Sequence, residues 1–197
     1  MVGVILELIL ETEMFWHVRN VILQQDNYMR PELDKYLCNK YPLIFKDRNA
    51  PMNKTCMCWG FPDDGWFFII ESLCDQIQTT IDRNNKRVKK YEEEESKLIT
   101  QVVATQVKEK FGGLRFYVDG GNEDIYTIIH AYESLSYTVC ELCGKMDETV
   151  ICTGRGWFKT LCYECRKPEE KDIHMLALKK YSKDKLKLFK KIKAEKK

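Results

Sequence analysis

Four cysteines stand in two pairs, Cys140-Glu141-Leu142-Cys143 and Cys162-Tyr163-Glu164-Cys165, with 18 residues between the pairs. Two residues inside each pair let a tight turn aim both sulfurs at one point. Two such pairs at this separation match a four-thiolate zinc site. Zinc takes four sulfurs tetrahedrally at about 2.3 Å and needs them as thiolates. Four thiolates leave no open position for water, so the chemistry implied is structural, with one Zn2+ per chain. Gly144 follows the first pair, where a residue free to take positive φ helps the turn. Thr149–Thr153 and Trp157–Leu161 read as short strands joined by a three-residue loop, Gly154-Arg155-Gly156. The alternative, four buried or disulfide-bonded cysteines, gives no reason for the paired spacing.

Two further groups could do chemistry. Asp63 and Asp64 precede Gly65-Trp66. As caps they would accept the free amides of the helix that follows, which is the simpler reading. As a pair they could bind a metal or serve in acid–base chemistry. The second group is a hairpin. Gly112-Gly113 between two alternating runs signals a tight turn. A turn at these glycines pairs Phe111 with Leu114, Lys110 with Arg115, Glu109 with Phe116 and Lys108 with Tyr117. Val107, Phe111, Leu114, Phe116 and Val118 then face the core, and Lys108, Lys110, Arg115 and Tyr117 share the other face. A basic face with an aromatic beside it suits an anion such as phosphate, nucleic acid or an acidic protein patch. The plain alternative is that solvent screens these charges, or that acids such as Glu92–Glu95 pair with them.

The elements that must position these groups follow from periodicity. Residues 4–26 are loosely helical, and His17 among them reads as a packed residue. Pro31 opens a second short helix with Leu33, Tyr36 and Leu37 as its stripe, and Pro42 closes it. Residues 43–58 read as a loop with one short strand near Thr55–Trp59. Trp66, Ile70, Leu73, Ile77 and Ile81 recur at helical spacing and mark an amphipathic helix over 65–84. Residues 82–97 are a solvated extension or linker. The hairpin spans 98–118, a turn falls at Asp119–Asn122, and a helix covers 123–137 with Ile125, Ile128, Ile129 and Tyr132 inward. Pro168 opens a last, Lys-rich helix.

The expected fold class is therefore α+β: helices packed on a small antiparallel sheet, followed by a treble-clef or zinc-ribbon-like unit. The segments are an N-terminal helical extension (1–29), an α+β core (30–137), a four-cysteine finger (138–168) and a basic helix or tail (169–197). No P-loop, dinucleotide fingerprint or nucleophile elbow is present.

The formal charge is +2, but it is unevenly spread. Residues 166–197 hold 13 Lys or Arg against 5 Asp or Glu, and the rest hold 19 against 25. Nine cysteines are present, and a zinc-thiolate site with five spare thiols points to a reducing compartment, the cytosol. Cys38, Cys56, Cys58 and Cys74 could form a second site, because Cys56 and Cys58 on a strand would share a face. Cys74 belongs to an apolar helix face instead, so no second metal is expected. Val2–Leu10 is apolar but has no basic leader region, carries Glu7 and is too short to cross a bilayer.

Three stretches carry a longer resemblance: Asp64-Gly65-Trp66-Phe67, Val107-Lys108-Glu109-Lys110-Phe111-Gly112-Gly113-Leu114-Arg115-Phe116-Tyr117, and the cysteine pairs with Gly156-Trp157 and Thr160-Leu161-Cys162. Together, over residues 30–165, they resemble an uncharacterised family of small phage and prophage zinc-finger proteins. The finger itself is similar in spacing to GATA-type DNA-binding fingers. The resemblance implies a viral or mobile-element accessory protein in the host cytosol, with no established activity to carry over. Three readings of function follow. The chain is a zinc protein that binds nucleic acid through its lysines. Or it binds a host protein, with Trp59, Phe61, Trp66 and Trp157 as aromatic anchors. Or it binds or hydrolyses a nucleotide-like anion, for instance to antagonise host defence, using the hairpin basics with Asp63, Asp64 or Glu109.

Overall fold

The computed structural model describes residues 28–154 and 156–195. The expected helix over 4–26, with His17, lies outside the described residues. Helix α1 (Pro31–Lys40) begins on the predicted proline, buries Leu37 and ends at Tyr41. Helix α2 (Phe67–Lys90) is the long element of the core. It buries Ile70, Leu73, Ile77 and Ile81 on one side, and Trp66 just ahead of it is buried too. The helix runs six residues past the expected end at 84. Val88 falls two turns after Ile81 and is also buried. The Asn85 amide bonds the backbone of Ile99 in both directions (2.9 and 2.8 Å). Polar residues 82–90 are therefore held in helix by tertiary partners that composition does not reveal.

Strands β1 (Val103–Lys110) and β2 (Gly113–Asp119) form the core hairpin. Helix α3 (Glu123–Leu135) packs on β2 and α2. Its start is fixed by Asn122, whose side chain accepts from the Ile125 amide (3.1 Å). Strand β1 begins at Val103 rather than near 98. Its outer edge is covered by loop backbone: Ala104 N–H donates to Ile44 O (2.8 Å) and Cys56 N–H to Thr105 O (2.9 Å). No strand forms at Thr55–Trp59; a 3₁₀ turn at Met57–Trp59 takes its place. Its chain makes one backbone bond to β1 at the bulge near Ala104–Gln106 and then turns away. Phe45 stacks edge-on against Phe61 at 4.9 Å and closes the core under the sheet.

The register of the hairpin departs from expectation. Lys110 pairs with Gly113, Glu109 with Leu114, Lys108 with Arg115 and Val107 with Phe116. The turn is Phe111-Gly112, both at positive φ (55° and 74°), the pattern of a type I′ turn. Each partner is displaced by two residues. A two-residue slip keeps side-chain parity, so the faces survive while the pairs change. Val107, Leu114 and Phe116 are buried as expected, but Phe111 sits on the turn and is exposed.

The finger follows the core. Strands β3 (Ile151–Thr153) and β4 (Lys159–Leu161) pair antiparallel, and α4 (Lys171–Glu195) packs on β3. The connecting loop runs over 154–158, longer than the three residues expected, because β4 starts at Lys159. The order knuckle, hairpin, knuckle, helix is that of a treble-clef finger.

Candidate metal centre

The first knuckle is a turn closed by Gly144 N–H to Cys140 O (2.9 Å) and Cys140 N–H to Lys145 O (2.9 Å). Gly144 takes φ 75°, as its place in the sequence implies. The second knuckle follows β4 directly. The four sulfurs of Cys140, Cys143, Cys162 and Cys165 lie within 4.8 Å of one another, and those of Cys143 and Cys162 are 3.7 Å apart. A tetrahedron with metal–sulfur bonds of about 2.3 Å has sulfur–sulfur edges of about 3.8 Å. The set is therefore compatible with a divalent cation of the zinc class.

Electrostatics agree with the geometry. The Cys140 thiol is pulled down to about 4 by a hydrogen bond from Cys165, and the amides of Cys162, Cys143 and Leu142 act in the same direction against the cost of burial. Burial pushes the Cys162 thiol up to about 12, and Cys165 rises because it donates to Cys140. One sulfur is thus prepared as an anion by the Cys165 thiol first and by backbone amides second. A divalent cation held here would supply the charge that lets the others ionise.

Around the sulfurs sits a buried polar frame that sequence reasoning missed. Arg166, beside the last cysteine, donates to Lys159 O (2.6 Å), Ile151 O (3.2 Å) and His174 Nδ1 (3.2 Å). His174 on α4 reaches Thr149 O through Nε2 (2.8 Å). The guanidinium therefore ties β3, β4 and α4 together. Its only sequence signal is position: an Arg next to a knuckle and a lone His on the first turn of a helix.

The remaining cysteines do not join the set. Cys56 and Cys58 are exposed on either side of Met57 in a 3₁₀ turn, not on one strand face. Cys74 is buried in the core, and Cys38 donates to Asp34 Oδ1 (3.4 Å). Among the described residues, one group of metal-ligating side chains converges, and it is the four cysteines.

The finger is joined to the core from two sides. Gly65 N–H donates to Glu141 O (2.9 Å) and Trp66 Nε1–H to Val139 O (3.1 Å). A Cβ at Gly65 would stand 2.1 Å from Cys140 O, so only glycine permits this approach. From the other side, the hairpin turn meets β3–β4: Thr160 Oγ1–H donates to Gly112 O (2.5 Å), and a Cβ at Gly112 would stand 2.4 Å from the Cys152 sulfur. The stretches around Gly65-Trp66, Gly112-Gly113, Cys140 and Thr160 thus meet in space.

The two aspartates make different contacts, and neither side chain caps a helix. Asp64 accepts from the Arg30 amide (2.8 Å) and pairs with its guanidinium. Asp63 faces the junction, where burial raises it to about 6 against the opposing charge of Lys159. Glu141, almost fully buried, lies 3.0 Å from Lys159 Nζ and is raised by burial to about 7. The basic residues lie apart from these acids. Lys108 opposes Arg115 across the strands, and its ammonium is 5.3 Å from the Tyr117 ring. Arg115 donates to Tyr137 Oη (3.1 Å). The acidic run does not reach them: Glu93 pairs with Arg87 and Lys97.

Fold and site together define an α+β protein with a four-cysteine site that could hold a metal and is compatible with structural zinc. The chain matches no protein-family model, no curated protein and no solved structure. No helix among the described residues is long and apolar enough to cross a membrane.

Proposed function

We propose that this chain is a non-enzymatic zinc-finger protein that binds nucleic acid, with one structural Zn2+ held by Cys140, Cys143, Cys162 and Cys165. The observation that carries the reading is a pair of basic surfaces without acidic partners. Among the described residues, no ion pair engages Lys108, Lys110 or Arg115, nor Lys179, Lys180, Lys183, Lys185 or Lys187 on α4. Lys179, Lys180, Lys183, Lys185 and Lys187 are exposed. Phosphate contacts by such residues drive sequence-independent binding. The resemblance to small phage and prophage proteins supports an infected cell's cytosol as its setting.

Binding of a host protein is the second reading, favoured by Trp59 and Trp157, which are 56% and 68% exposed. Phe61 and Trp66 are core residues and leave that list. A nucleotide-binding or hydrolytic site gains no support. Asp64 is engaged by Arg30, and Glu109 accepts from the Gly112 amide (2.6 Å). A cleft beside α2 and another beside α1 are lined by other residues.

Binding of a mixed-sequence DNA duplex across a salt series tests the reading. A chain ending at Leu178 keeps Arg166 and His174, and so the finger, but loses the lysines beyond. It should bind more weakly, with a shallower dependence on salt. Lys110→Glu with Arg115→Glu should weaken binding further while zinc content persists. An unchanged salt slope in the shortened chain would make the tail a bystander.

A further inference from the structure

We propose that the β1–β2 turn and the β3–β4 loop together form a stacking site for single-stranded nucleic acid, with Phe111 and Trp157 as platforms and Lys108 and Lys110 as phosphate contacts. The inference rests on the nucleic-acid reading above and specifies the form of the strand. Phe111 carries the first observation. It occupies a turn position at φ 55°, where Asn, Asp or Gly is the usual occupant. A bulky side chain there holds the backbone in a disfavoured region, and packing does not compensate, because the ring is 67% exposed. Strain and an exposed aromatic at one residue mark a surface kept for something other than folding.

The second observation is placement. The turn lies on the finger hairpin: Cys152 Sγ–H donates to Phe111 O (3.6 Å), and a Cβ at Gly112 would stand 3.5 Å from the carbonyl carbon of Lys159. Phe111 and Phe158 are each one residue from that contact, and Trp157 is two. Trp157 is 68% exposed and Phe158 47%. Three exposed aromatic residues thus lie within two positions of the contact where the two hairpins meet.

Charge is the third. Lys110 places its ammonium 5.4 Å from the Phe111 ring, and Lys108 follows on the same strand face. The nearest carboxylate on that strand, Glu109, is turned to the Gly112 amide (2.6 Å). Lys159 is engaged by buried Glu141 and does not contribute (3.0 Å). Exposed rings interleaved with free lysines match a strand whose bases stack while its phosphates are tracked. A duplex hides its base faces in its own stack, so such rings favour unpaired bases.

The test uses the full-length zinc-loaded chain, a fluorescent oligothymidine of about 20 nucleotides, a duplex of equal length and an oligoglutamate peptide. The wild type should prefer the single strand. Phe111→Asn with Trp157→Ala should lower single-strand affinity about tenfold or more, leaving duplex affinity and salt slope unchanged. Asn tolerates the left-handed backbone, so the ring is removed without added strain. Trp157→Ala alone repeats the test in a loop whose Gly156 has open surroundings. Wild-type affinity of these variants for oligothymidine, with zinc retained, would overturn the stacking site. Equal binding of duplex and single strand by the wild type would overturn it too, while the nucleic-acid reading stands. Failure to bind either nucleic acid would overturn both, and tight binding of oligoglutamate alone would assign the surface to an acidic protein.

Discussion

Strands β1 and β2 run for 8 and 7 residues and lay Val107, Leu114 and Phe116 into the main core. Strands β3 and β4 run for 3 residues each, and the apolar cluster beneath them is Cys140, Leu161 and Cys162. Two of those three belong to the four-cysteine site. The first hairpin is stabilised by burial, at about 1.5–3 kcal/mol for each large apolar side chain. The second has too little apolar area to fold that way. Its order depends on four sulfurs at one point and one guanidinium joining three elements. The same topology is thus maintained by two kinds of force, and each can be removed separately.

Removing the proposed zinc should have the largest effect. Structural zinc contributes on the order of 10 kcal/mol in small fingers. Cys143→Ser should abolish stoichiometric zinc and expose the amides of residues 138–168 to hydrogen exchange, while those of α2 and β1 stay protected. Protection of both regions in a metal-free protein would end the contrast. The reciprocal change is Ile77→Ala on α2, where the side chain is fully buried. A loss of about 2–5 kcal/mol is expected from transfer and cavity terms, with zinc stoichiometry unchanged. Denaturant melts and metal analysis of the same sample check both halves.

Arg166→Leu addresses the frame rather than the sulfurs. It strips hydrogen bonds from Lys159 O, Ile151 O and His174 and should cost roughly 2–3 kcal/mol. The change should appear as weaker zinc retention against a chelator. Unaltered retention would mean that the knuckles alone hold the finger.

The smallest effect is a pH dependence. Burial holds the His174 ring below its ordinary value, with Arg166 acting in the same direction. Neutral His174 donates to Thr149 O and accepts from Arg166; a protonated ring would present a second donor to a guanidinium. Its folded value lies below its unfolded one. Its contribution is therefore fully present above about pH 6.5 and is lost as pH falls below. Thiolate protonation acts in the same direction, so the comparison is with His174→Gln at saturating zinc. The wild type should lose more finger stability than the variant between about pH 7.5 and pH 5.5. Parallel profiles would remove His174 from the frame.

Much of this architecture was written in local pattern. The spacing of Cys140, Cys143, Cys162 and Cys165 specified the sulfur site, because two residues between ligands leave few turn geometries. The apolar recurrence from Trp66 to Ile81 specified the buried side of α2, because a helix repeats every 3.6 residues. Asn122 and the glycines before it marked the start of α3 by their turn chemistry. The hairpin faces were also legible, since they depend on parity alone. The exact pairing was not, because Gly112-Gly113 is the stronger local turn signal, yet the turn that formed is Phe111-Gly112, with a bulky residue at positive φ. The choice was made where Gly112 meets Cys152 and Thr160, residues some 40 positions away. Long-range contacts likewise decided the extension of α2 to Lys90, the loss of a strand at Thr55–Trp59 and the different contacts of Asp63 and Asp64. Each rests on a partner distant in sequence: Ile99 for Asn85, Thr105 for Cys56, Arg30 for Asp64. Periodicity reports which way a side chain points within its own element. It carries no term for what stands opposite, and that is where tertiary packing chose among the locally allowed forms.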